Sequence, residues 1–222
     1  MSGFLFLIIL PMIAGFVAQH RVRSTFAKNL QVPVANGLTG AEVARRILDA
    51  NGLHDVPVEE VQGSLSDHYD PRNRSVHLST EVYRNRSVAS TAVGAHEVGH
   101  AIQHAQTYAY FRFRSALFPA AGFANRIWPL FLFGGFILGV VGFVYFAIAL
   151  FAVAVLFQLV TLPVEFDASR RAKRQLSDMG LVASNESQGV ASVLTAAAWT
   201  YVVGALVSVA ALLYYLQFLG NR

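Results

Sequence analysis

The chain has 222 residues, 55% of them hydrophobic and only 14% charged, with a net charge of +4 and a mean hydropathy of +0.46. Soluble domains carry about 25% charged residues, so an ordinary soluble domain is a poor fit, and long apolar runs between charged segments point to an integral membrane protein. The absence of cysteine rules out disulfides, thiolate metal sites and a cysteine nucleophile. The basic residues gather beside the apolar runs, as on the cytoplasmic side of a bilayer, which argues against nucleic acid as a partner.

In chain order, the first apolar run (3–19) is long enough to cross a bilayer, and residues 1–19 are expected to form transmembrane helix 1. A cleaved signal peptide fits less well, because the basic cluster follows the run instead of preceding it. Residues 20–115 form the one sizeable polar region. Within it, 37–53 reads as an amphipathic helix with Thr39 as N-cap, Gly52 as stop, and Val43, Ile47 and Leu48 on one face. The sequence DPRN at 70–73 is a β-turn, so 63–69 and 74–79 are expected to pair as a hairpin. A second helix runs from about Ser87 to Tyr108.

From 116 to 164 Arg126 is the only charge. That run is long enough for two spans, with the turn near Gly139 and Gly142 and small residues at Gly135, Gly139 and Ala149 for close packing. A charged segment occupies 165–189, and 190–222 carries a fourth span and a short tail. Eleven of the 17 Lys and Arg lie between 20 and 115 and four more at 170–174, so both segments are expected in the cytoplasm and both termini outside. The fold class expected is a mainly α membrane protein of about four transmembrane helices, with a small cytoplasmic α+β segment holding a β-hairpin and the helix around residue 96.

That helix carries His96-Glu97-Val98-Gly99-His100, an HExxH motif. Residues four apart share a helix face, so His96 and His100 can hold one zinc ion. Glu97 then stands where its carboxylate can take a proton from a water attacking a carbonyl, which is peptidase chemistry. The competing reading, a chance match on a solvated helix face, suits these apolar neighbours poorly, because burying two histidines and a glutamate there without partners is costly.

A catalytic zinc normally has three protein ligands and an open position. His104 is too far along the helix: eight residues are about 12 Å of rise. It reads as a supporting group or a polar helix-end residue. Glu165 qualifies if an even number of spans separates it from the motif, and the intervening run fits two. Its competing reading is an ordinary interfacial acid beside Asp167.

The stretches DHYDPRNRSVHLS, AVGAHEVGHAIQ, FQLVTLPVEFDASRRA and VLTAAAWTY together resemble the YugP-type neutral zinc metallopeptidases of bacterial membranes. The resemblance covers nearly the whole chain. It implies a gluzincin-like peptidase of the bacterial cytoplasmic membrane with one Zn²⁺, His96, His100 and Glu165 as ligands and Glu97 as general base. Gluzincins often place an aspartate four residues after the third ligand; here that position is Ser169. Either Ser169 orients a ligating histidine or an acid from another segment does, and Asp167, about 200° round the helix from Glu165, should point elsewhere. The resemblance further implies a substrate strand at 74–79, with Val76, His77 and Leu78 pairing an extended peptide. His68 and Tyr201 are candidate donors to an oxyanion.

The expected partners are a peptide or membrane-protein substrate and the lipid bilayer. A different class of function, a non-catalytic membrane scaffold or chaperone-like protein with a structural zinc, would need a fourth protein ligand such as Asp167 or His104. A metal transporter would need ligating groups within the spans, which carry no charge besides Arg126.

Overall fold

The computed structural model describes residues 2–220 of the chain, and side chains from residue 9 to residue 217. Seven helices and one small sheet follow in order. Helix α1 (Ser2–Leu30) leads into α2 (Gly40–Ala50), whose start is fixed by the Thr39–Glu42 capping box. Two donors that the helix leaves unpaired are satisfied reciprocally there. Val43, Ile47 and Leu48 are fully buried on its inner face, as their helical spacing requires.

Strands β1 (Val58–Val61), β2 (His68–Asp70) and β3 (Ser75–Ser79) form a sheet in the order β1-β3-β2. β2 runs antiparallel to β3, with Tyr69 opposite Val76, across the expected turn at 70–73. Asp70 closes that turn by accepting from the Arg72 amide and the Asn73 side chain. The expected strand 63–69 is a correction, since only its last two residues pair. Gly63 and Leu65 adopt positive φ, and Ser66 donates back to the Gln62 and Gly63 carbonyls, which folds the segment into a loop. The strand that sequence reading passed over is β1, which lies parallel to β3 with Val58 opposite Val76.

A short helix α3 (Thr80–Arg84) leads to α4 (Val88–Ala105), capped where Ser87 accepts from the Ser90 amide. Helix α5 (Ala109–Leu138) and α6 (Val141–Asp178) form a long antiparallel hairpin. Gly139 makes the reversal in the left-handed region, φ 67°, which a residue with a Cβ rarely adopts. Helix α7 (Ser187–Gly220) closes the chain. Neither 116 nor 164 is a helix end. α5 starts at Ala109, and α6 runs unbroken through the charged segment, because residues such as Arg, Lys, Ala, Gln and Leu favour helix whether lipid or water surrounds them.

Among the described residues, three helices are long and apolar enough to cross a membrane: Ala109–Leu138, Val141–Asp178 and Ser187–Gln217. The expected span at 1–19 falls partly on residues 1–8, which lie outside the described side chains. The main core gathers α2, β3, α4, the far end of α6 and the start of α7 around Ile47, Leu78, Val98, Val164 and Leu176. α4 is thereby enclosed, packed against α2, α6 and α7 together.

Candidate metal centre

Two helices supply the site. On α4, His96 and His100 lie one turn apart with ring centroids 4.8 Å from each other and planes at 81°. On α6, Glu165 faces them: its Oε2 lies 3.3 Å from His96 Nε2 and 3.6 Å from His100 Nε2. One donor atom from each of the three falls within 4.8 Å of the others. Helices normally pack with axes 8–10 Å apart, and such convergence needs a close crossing. Gly99 provides it. A Cβ there would come 2.7 Å from the Ala168 carbonyl oxygen and 3.1 Å from its Cα, so only glycine lets the helices meet at this depth.

The imidazoles are held by their outer nitrogens. His100 Nδ1 lies 3.0 Å from Gln103 Oε1, while Gln103 Nε2 donates to the Val164 carbonyl at 2.8 Å and to Asp167 Oδ2 at 2.9 Å. A carbonyl can only accept, so the amide nitrogen must face α6 and its oxygen must face His100. His100 therefore carries its proton on Nδ1 and presents the Nε2 lone pair inward. Gln103 is fully buried. Ser169 Oγ lies 3.2 Å from His96 Nδ1 and holds the orientation of the other ring. Ser169 thus sits where sequence reading put an orienting group. Asp167 is not one of the three clustered donors, yet it belongs to the assembly as the anchor of Gln103, itself gripped by Arg171 at 2.5 Å.

The donor set suits a zinc ion. Two imidazole nitrogens and a carboxylate are borderline and hard ligands that zinc accepts, with the His100 tautomer fixed for it by Gln103 and the His96 ring held by Ser169. The side chains a closed four-ligand site would draw on are committed elsewhere. His104 Nδ1 pairs with the Tyr69 hydroxyl at 2.9 Å and its ring stacks on Phe111, while Asp167 serves Gln103 and Arg171.

Glu97 is buried next to the cluster. Burial pushes its carboxyl up to about 7; the nearby His96 opposes the rise and Glu165 adds to it. Glu97, the two histidines and Glu165 open into one cleft of about 1820 Å³, bordered by the β2 turn, α5 and Tyr201 of α7. Arg114 of α5 stands 3.7 Å from Glu165 Oε1.

His68 reaches the rim of this cleft, its ring stacked on His77 at 4.6 Å and its Nδ1 against the Ser66 carbonyl. The expected substrate strand needs correction. β3 is the middle strand: β1 pairs Val76, His77 and Leu78 and β2 pairs Val76 and His77, so this stretch is not a free sheet edge. Val76 and Leu78 are buried in the core, and His77 is held between Ser75 and Glu59. The strand that borders the cleft is β2. Sequence reading missed Gln103, Gly99 and Arg114. Gln103 lies on the buried face one turn from His100 (i, i+3), a spacing that marks it as a potential neighbour.

A family model described as "Putative neutral zinc metallopeptidase" matches residues 4–220. The chain is 50% identical over 220 residues to the "Putative membrane protease YugP" of Bacillus subtilis (strain 168), covering 99% of this chain and 98% of that protein. No solved structure matches. With a zinc-competent donor set on two crossing helices and a match along almost its full length, the chain belongs to this neutral zinc metallopeptidase family.

Proposed function

We propose that the protein is a membrane-embedded zinc endopeptidase whose cleft opens at the cytoplasmic face of the bilayer. The observation that carries the reading is the convergence of His96, His100 and Glu165 within 4.8 Å, with Glu97 beside them at the head of a large cleft. His96 and His100 through Nε2, and Glu165 through its carboxylate, would hold one ion. Zinc bound there supplies Lewis acidity, polarising a peptide carbonyl and acidifying a water. Glu97 takes the proton from the attacking water on its carboxylate and returns it to the departing amine. Arg114 and Tyr201 border the same space and offer N–H and O–H donors for the carbonyl oxygen as it gains charge. Gln103 and Ser169 keep the two rings facing inward.

The basic residues at 20–115 and 170–174 support a cytoplasmic location for the site, with four spans and both termini outside. Along α6, Glu165 lies 24 residues from Val141, about 36 Å at helical rise, against a hydrocarbon core of about 30 Å. The donor cluster then sits just beyond the hydrocarbon, where peptides of membrane-protein substrates are within reach.

The decisive test is Glu97→Gln in the purified full-length protein. It is expected to bind zinc like the parent and to lose proteolysis by about 100-fold or more. Equal cleavage rates for variant and parent would overturn the mechanism.

A further inference from the structure

The cleft does not stop at the metal centre. It continues along α5 past Phe111, Phe118 and Gly122 to Arg126 and Ile127. Two rulers measure its reach. Arg126 is twelve residues beyond Arg114 on α5, about 18 Å at helical rise. Independently, the Trp128 ring lies against that of Phe151 of α6 with centroids 4.7 Å apart, and Phe151 is fourteen residues from Glu165, about 21 Å. Phe151 is also ten residues, about 15 Å, from Val141 at the other end of the span, which puts Arg126 near the middle of a ~30 Å hydrocarbon core.

A guanidinium at that depth is expensive against lipid and is normally found facing a water-filled or ligand-filled space. Arg126 is exposed and lines the cleft, and among the described residues no acid lies within ion-pair distance of it. The acids of the cleft wall, Asp67, Asp70, Glu97 and Glu165, all belong to the metal-centre end. The far end therefore combines apolar walls with one cation lacking a counter-charge.

We propose that this far end is a specificity subsite for a polypeptide carboxylate, with Arg126 as the residue that reads it. Resting on the peptidase reading above, the occupant is an extended apolar segment of a membrane protein or peptide with its anionic group seated on Arg126. An extended chain advances about 3.3–3.6 Å per residue, so roughly 18 Å sets that group about five residues from the bond cut, give or take the arginine's own reach. The carboxylate belongs either to an Asp or Glu side chain or to a free chain terminus, which share the same bidentate fit to a guanidinium.

The test uses the full-length zinc-loaded protein in nanodiscs and a set of labelled apolar peptides. Each carries one Glu, or its Gln isostere, at successive positions from the cleaved bond, and one further pair ends in a free or amidated terminus. Binding is measured on Glu97→Gln and cleavage on the parent. The Glu peptide at about five residues is expected to bind roughly 10-fold tighter than its Gln partner, with the terminal pair showing which source of carboxylate is preferred. Arg126→Gln should erase the difference, and Arg126→Glu should transfer the preference to a Lys peptide, a gain that misfolding cannot produce. Equal binding of Glu and Gln peptides, or a preference surviving Arg126→Gln, overturns the subsite. So does an Arg126 effect that appears only when nanodisc lipid changes from zwitterionic to anionic, which would make the residue a headgroup anchor. Preferential binding without cleavage by the parent would instead leave the subsite standing and remove the peptidase reading.

Discussion

Gln103 does what a carboxylate does in many zinc sites, but with a neutral amide. Its oxygen accepts a hydrogen bond from the His100 Nδ1–H, and its nitrogen donates to the Val164 carbonyl and to Asp167. Gln103→Leu keeps the volume but leaves the ring free to turn and strands the carbonyl and the carboxylate. Zinc affinity is expected to fall by about 10–100-fold, measured by competition with a chelator of known strength. Gln103→Glu should recover much of it if tautomer control is the operative role, although it sets a second acid against Asp167. Unchanged affinity in the Leu variant would remove the positioning role. The HExxH spacing made the metal face of α4 readable from sequence, because i, i+4 geometry is local. The orienting groups were not readable in the same way. Ser169 was reached through its distance from Glu165, whereas Gln103 acts across 61 and 64 residues to α6, and nothing local announces that contact.

At the scale of elements, the crossing of α4 and α6 decides whether two histidines and one glutamate form a set. Gly99 fixes that crossing. Gly99→Ala drives a methyl against the Ala168 backbone, which is not the yielding end of a flexible side chain. The expected cost is about 1–3 kcal/mol of stability, seen as a lower unfolding temperature together with weaker zinc binding as the helices separate. A variant that matches the parent in both would show that the interface can open without loss. Element order was largely legible: the capped helix at 40–50, the turn at 70–73 and the reversal at Gly139 all follow from local chemistry. Boundaries were less so. The limits of the apolar run at 116 and 164 are changes of composition and not of backbone, so α5 and α6 pass through them. β1 escaped notice because VEEV puts its acids on a strand that pairs in parallel, where the partner is distant in sequence.

For the whole molecule, the proposed topology places the polar region on one side of the bilayer and the α5–α6 turn on the other. The natural chain has no cysteine, so single introduced thiols report cleanly. Asn73→Cys, in the exposed β2–β3 turn, is expected to resist a membrane-impermeant maleimide in intact cells and to react after permeabilisation. Val140→Cys, at the far turn, is expected to react in both. The reverse labelling pattern would invert the orientation. Run length alone suggested two long helices between the motif and Glu165, and the structure has two there and brings the motif and Glu165 together.

The division of the donor set between two helices has a mechanical meaning. α4 is the central helix of the folded unit that carries the sheet, while α6 is a 38-residue rod long and apolar enough to cross a membrane. An ion gripped by both acts as a rivet between that unit and the bundle. By mass action each tenfold excess of free ion over its dissociation constant adds about 1.4 kcal/mol to the joint. Stripping the ion should therefore loosen the seam between α4 and α6 first, so that amide exchange rises along Ala95–Gln103 and Val164–Ala172 before the distant α5–α6 turn responds.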